Sequence, residues 1–133
     1  MVSREQIAAT LRRLNAAENA RPGSTVEETS VRLDAVMAPG VHGWRNGAPV
    51  PDRAAERKGE FGVFTALPDY HRVIEHMVID PPKASIGWTI RGTLQGREIS
   101  APGSSIFEFD DDGLVRRYWM YADLSVFAPK AAK

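Results

Sequence analysis

The chain has no cysteine among its 133 residues. That excludes a disulfide framework, a thiol nucleophile and any thiolate metal site, and it fits a reducing compartment. No apolar run approaches the roughly 20 residues that span a bilayer, so no membrane partner is expected. The opening Met1-Val2-Ser3-Arg4-Glu5-Gln6 leads straight into a charged helix without the apolar core of a signal peptide, and the expected location is cytoplasmic. There is no excess of one charge: Lys plus Arg is 17 and Asp plus Glu is 17, which gives no reason to expect nucleic acid as a partner. Histidine is scarce too. His42, His71 and His76 are the only three, and they do not form a ligand-spaced set with the acids. No metal and no cofactor is expected. What remains is an ordinary globular composition, long enough for one domain over residues 1–133 with a real core.

Helices come first. Ser3 and Gln6 have the spacing of a capping box, and Ile7, Leu11 and Leu14 follow at helical intervals until about Ala20. Ser24 with Glu27 predicts a second box. Val26, Leu33 and Met37 then form the apolar stripe of a second helix, which Pro39-Gly40 stops. Val41 to Asn46 reads as a short strand with His42 and Trp44 on one face. Asp52 is placed to cap a third helix through Ala54, Ala55, Phe61 and Phe64, ended by Pro68.

After Pro68 the texture changes to strands. Tyr70 to Ile79 is rich in β-branched and aromatic residues, and Asp80-Pro81-Pro82 turns. Ala84 to Arg91 alternates, with Ala84, Ile86, Trp88 and Ile90 on one face. Gln95-Gly96 turns into a long strand from Glu98 to Phe109, in which Pro102-Gly103 suggests a bulge or bend. Asp110-Asp111-Asp112-Gly113 is a turn rich in residues that favour one. The tail after Phe127 is expected to fray. Helices followed by long antiparallel strands mean an α+β fold. Long strands with apolar residues on both faces, such as Ile106 opposite Phe107, need cover on both sides. That predicts a homodimer through the convex face of the sheet.

The last strand, Gly113 to Asp123, carries the candidate site. Strict alternation puts Val115, Arg117, Trp119, Tyr121 and Asp123 on one face, as one wall of a ligand pocket. Asp123 is then either a partly desolvated base with a raised pKa, or a residue that caps the strand end or pairs with an arginine. Trp44, Trp88 and Trp119 either stack on a flat polycyclic ligand or pack a core. His42 and His71, like His76, are donors in a cavity or surface groups. Glu75 either neutralises a buried arginine or reaches the pocket.

The order of several short motifs carries a resemblance. Pro68-Asp69-Tyr70 is followed by Trp88-Thr89-Ile90-Arg91-Gly92-Thr93, then Phe107-Glu108-Phe109 with Gly113-Leu114-Val115, then Trp119-Met120-Tyr121-Ala122-Asp123. This resembles the SnoaL-like polyketide cyclases of the NTF2-like superfamily. The resemblance implies a cone in which three N-terminal helices pack on a strongly bent, mainly antiparallel sheet that encloses a pocket. It further implies a homodimer, a deep apolar cavity and a general acid/base aspartate at Asp123. The histidine that follows Gly-Thr in those cyclases is Leu94 here. Two readings of function follow: a cofactor-independent cyclase, isomerase or dehydratase acting on an apolar carbonyl or polycyclic compound, or a non-catalytic ligand-binding or dimerisation module.

Overall fold

A computed structural model describes residues 1–20, 23–52, 54–56, 58, 66–123 and 125–127. The first helix, α1, spans Arg4–Asn19 and starts on the expected capping box, with Ser3 and Gln6 satisfying each other's backbone N–H groups. Its buried stripe is Ile7, Thr10, Leu11, Leu14 and Ala17. Each large aliphatic on that stripe contributes about 1.5–3 kcal/mol by leaving water. The Thr10 hydroxyl donates to Gly113 O at 2.7 Å and ties the helix to the far end of the sheet.

The second helix, α2, spans Val26–Asp34 and corrects two expectations. Its capping box is Thr25 with Glu28, one residue later than Ser24 with Glu27. It also stops before Met37, which already belongs to a strand, so Pro39-Gly40 lies inside that strand and terminates nothing. Asp52 caps as expected, accepting from Ala55 N at 2.9 Å. Residues 54–56 and 58 are helical, but Phe61 and Phe64 of the expected third helix lie outside the described residues. So does the tail after Phe127.

Six strands form one sheet: β1 Met37–Arg45, β2 Ala48–Val50, β3 His71–Asp80, β4 Lys83–Leu94, β5 Arg97–Phe109 and β6 Val115–Ala122. Their spatial order is β2-β1-β6-β5-β4-β3. All neighbours are antiparallel except β1 and β6. The α+β class and the mainly antiparallel sheet are thus as read from the sequence. Ile86, Trp88 and Ile90 of β4, Ile99, Ala101 and Phe107 of β5 and Tyr118 of β6 face the helices and build the core.

Two details of register decide which side chains face that core. First, β5 does not bulge at Pro102-Gly103. It pairs with β4 without a break from Glu108 to Arg97. Gly103 has another purpose: a Cβ there would lie 2.4 Å from Trp88 Cη2, so the missing side chain is the space that the indole occupies. Second, the bulge sits in β6. Glu108 pairs with Arg117 and Phe109 with Val115, which leaves Arg116 as an extra residue. One extra residue flips every later side chain to the other face. Val115, Tyr118 and Met120 therefore face inward, while Arg117, Trp119 and Tyr121 face outward. The expected single face from Val115 through Asp123 does not exist.

Candidate functional site

A cavity of about 110 Å³ lies between the inner face of the sheet and the helices. The helices supply Leu14 and Glu18 from α1 and Leu33 from α2. Trp88 and Ile90 come from β4, Ser105 and Phe107 from β5, and Tyr118 and Met120 from β6. Trp88 is fixed by its own indole N–H, which donates to Ser105 Oγ at 2.9 Å.

Within this apolar shell stand two clusters, each a carboxylate held by a tyrosine and an arginine. The first is Glu56, only 7% exposed. Tyr118 Oη donates to Glu56 Oε2 at 2.6 Å, and Arg45 donates Nε to the same oxygen at 3.2 Å and Nη2 to Oε1 at 2.5 Å. This forked pairing is the geometry that makes an arginine–carboxylate pair strong. Tyr118 reaches Glu56 because Gly43 lies beneath its ring: a Cβ at Gly43 would stand 2.0 Å from Tyr118 Cζ.

The second cluster joins α1 to the start of β3. Tyr70 Oη donates to Glu18 Oε2. Glu18 Oε1 lies 3.8 Å from Arg72 Nη1, an ionic contact beyond hydrogen-bond reach. Arg72 Nε donates to Asn15 Oδ1 at 3.2 Å, and its guanidinium lies 5.9 Å from the Trp88 ring centroid. Asn19 clamps the Arg72 backbone, accepting from its N–H at 2.6 Å and donating to its carbonyl at 2.9 Å. The two clusters come from opposite ends of the sheet, with β4 and β5 between β3 and β6.

Of the residues singled out in the sequence, only Trp88 lines this cavity. Trp44 and Trp119 stack on each other on the outer face at 5.3 Å and 7°, so Trp88 and Trp119 share no cavity. Tyr121 is on the outer face and 45% exposed. His42 is exposed opposite Arg117. His71 is exposed with Nδ1 at 3.4 Å from Asp69 O, and His76 is exposed on β3. Glu75 sits at the β3 bulge and accepts from Thr89 Oγ1, away from the cavity.

Asp123 is exposed beyond the end of β6. Its carboxylate accepts from Ser125 N at 2.9 Å. Hydrogen bonds from the Ser125 backbone and side chain hold its pKa below the ordinary aspartate value, the reverse of the raised pKa expected for a buried base. Asp69 behaves alike for a structural reason. It accepts from Thr93 N and Thr93 Oγ1, both at 2.7 Å, and these bonds lower its pKa. The Pro68-Asp69 and Gly92-Thr93 motifs are thus two halves of one clamp between strands.

Among the described residues, no group of three or more His, Asp or Glu side chains converges as metal ligands, and no helix is long and apolar enough to cross a membrane.

The model of the SnoaL-like domain matches residues 11–118. The chain belongs to the SnoaL-like domain family. Asp123 lies past the end of the matched span. No curated protein matches this SnoaL-like chain significantly. Among solved structures it is similar to the proposed hydroxylase AclR from Streptomyces galilaeus, with TM-score 0.80 and 18% identity over 92% of each chain. It is also similar to a proposed SnoaL-like polyketide cyclase from Jannaschia sp. CCS1, with TM-score 0.75 and 18% identity over 95% of this chain and 94% of the other. The BvnE pinacolase from Penicillium brevicompactum matches with TM-score 0.75 and 13% identity over 93% and 86%. At such identities the likeness establishes the NTF2-like fold. The three names span different chemistries, so the reaction must be argued from the site itself.

Proposed function

We propose that this SnoaL-like protein binds a small carbonyl compound in the cavity and removes a proton next to the carbonyl, with Glu18 as the base and no cofactor. The observation that carries this reading is the pair of carboxylates set into one apolar cavity. They are not equivalent. Both oxygens of Glu56 already accept hydrogen bonds from Tyr118 and Arg45, which ties them to the protein. Glu18 has one oxygen engaged by Tyr70, and its other oxygen is in ionic contact only. Glu18 is therefore the better base, and Glu56 a support that fixes Tyr118. Asp123, the base expected from the resemblance, stands in water outside the cavity.

Size narrows the ligand. A cavity of about 110 Å³ falls below the roughly 300–1,000 Å³ of drug-sized sites and near the roughly 150 Å³ cavity that holds benzene in an engineered protein. A single ring suits it; a polycyclic compound does not. The test is α-proton exchange of cyclopentanone in D2O, followed by NMR. Wild type is expected to exchange above the buffer rate, and Glu18→Gln to lose about 10²–10⁴-fold. Binding without exchange in wild type would favour the alternative of a non-catalytic binding module. One observation supports that alternative: every carboxylate oxygen in the cavity already faces a protein cation or phenol.

A homodimer through the outer face of the sheet belongs to the same reading. Its support is the apolar surface there: the Trp44–Trp119 stack, Ile106 at 38% exposure and Val78 at 66%.

A further inference from the structure

We propose that Arg72 Nη2 is the docking point for the ligand's oxygen, and that the ligand is a neutral carbonyl compound rather than a carboxylate. This rests on the reading of the cavity as a small-molecule site and names the group that orients the molecule in it.

Arg72 is 7% exposed and lines the cavity. Its fork is almost fully assigned. Nε donates to Asn15, Nη1 faces Glu18, and the backbone is clamped on both sides by Asn19. Nη2 is buried and has no hydrogen-bond partner among the described residues. Buried donors almost always have partners, and a charged one left without costs more than a neutral one. The hydrogen bond at Nε and the ionic contact at Nη1 oppose a swing of the fork toward another acceptor. The unsatisfied donor is pre-organised for an acceptor that the described residues do not supply.

Charge decides which acceptor. Among the described residues, the charged groups that line the cavity are Glu18, Glu56, Arg45 and Arg72, two of each sign, and these four balance. A carboxylate would add an uncompensated negative charge beside the two acids of the cavity, at a desolvation cost. A ketone or aldehyde oxygen satisfies Nη2 and leaves the balance intact. The Trp88 face, 5.9 Å from the same guanidinium, offers an apolar surface for the ring that carries the carbonyl.

The experiment compares three probes of similar size on the full chain: cyclopentanone, methylenecyclopentane, in which a CH2 replaces the oxygen, and cyclopentanecarboxylate. Binding is read by NMR shifts of the Trp88 indole N–H. A hydrogen bond to a charged donor is expected to favour cyclopentanone over methylenecyclopentane roughly tenfold to a hundredfold. Arg72→Lys keeps a cation beside Glu18 but loses the fork. It should remove that preference.

A second readout needs no variant. The infrared C=O stretch of bound 13C-labelled cyclopentanone should lie at or below its position in water, as for a hydrogen-bonded carbonyl. A stretch at the cyclohexane position would overturn the proposal. Equal affinity for cyclopentanone and methylenecyclopentane would overturn the role of Arg72 while leaving the cavity a small-molecule site. Tighter binding of cyclopentanecarboxylate would overturn the neutral ligand class. If no probe reaches Trp88, the docking point and the small-molecule reading fall together.

Discussion

Gly43→Ala tests the inner wall of the cavity at one atom. In a strand, alanine ordinarily gains about 0.5–1 kcal/mol over glycine because it has less entropy to lose. Here the new Cβ would stand 2.0 Å from Tyr118 Cζ and 2.4 Å from Tyr118 Oη, and β1 pairs Gly43 directly with Tyr118. The phenol must leave. Its displacement costs about 1–3 kcal/mol of overpacking. It also breaks the 2.6 Å hydrogen bond to Glu56, at about 1.5–3 kcal/mol for a bond to a charged group. Less the strand gain, the net loss is about 2–5 kcal/mol, or roughly 8–20 °C in Tm at about 4 °C per kcal/mol for this length. Urea denaturation with an unchanged m-value gives the number. The control is Tyr118→Ala, which removes the ring. In that background Gly43→Ala should cost almost nothing, and the difference is the coupling energy. A loss below about 1 kcal/mol in wild type, or an equal loss in both backgrounds, would refute the packing argument.

Three further outcomes are expected. Ligand entry should change the emission of Trp88 and leave that of Trp44 and Trp119, so Trp88→Phe should abolish the fluorescence response; a response that survives would move the binding site elsewhere. Asp123→Asn should leave both cyclopentanone binding and α-proton exchange unchanged, because its carboxylate is exposed beyond β6; a loss of exchange would restore it to the mechanism. Asp69 has a folded pKa below its unfolded value of about 3.9, so its contribution to stability is present above that pH and is lost as the pH falls through the folded pKa. Asp69→Asn should therefore flatten the acid limb of a stability–pH curve below about pH 4 and leave the curve's shape above it unchanged. For the proposed homodimer, light scattering at micromolar concentration that returns the single-chain mass of 14.7 kDa would be decisive against it.

The elements were legible where local chemistry acts alone. Ser3 with Gln6 caps α1, Gln95-Gly96 turns with φ of 50° and 78°, and the alternation of Ala84 to Ile90 lines the inner face of β4. The α2 boundary was not. Ser24-Thr25 offers two capping boxes one residue apart, and nothing local chooses between them. Pro39-Gly40 reads as a helix stop, yet β1 runs through it because its register with β6 shifts between Met37 and His42. A tertiary pairing overrode a local signal there.

The facing of the last strand was misread for one physical reason. Period-two reasoning carries a side chain to the correct face only until the first bulge, and β6 has its bulge near its start. A clue was present in Arg116-Arg117. Strict alternation would turn one of two adjacent arginines into the core. The bulge avoids that burial by letting both reach Glu108, at 3.1 Å and 3.5 Å. Taken as a bulge signal, the doublet would have put Tyr118 and Met120 inward and freed Trp119 and Tyr121 for the outer face. The acids of the cavity left no such trace. Glu18 sits among the polar residues of an amphipathic helix, and Glu56 follows an irregular stretch. Their partners Tyr70, Arg72, Arg45 and Tyr118 are 11 to 62 residues away along the chain. A carboxylate becomes a buried site only when the fold delivers its cation and its phenol, and that delivery is a property of register rather than of any stretch of the chain.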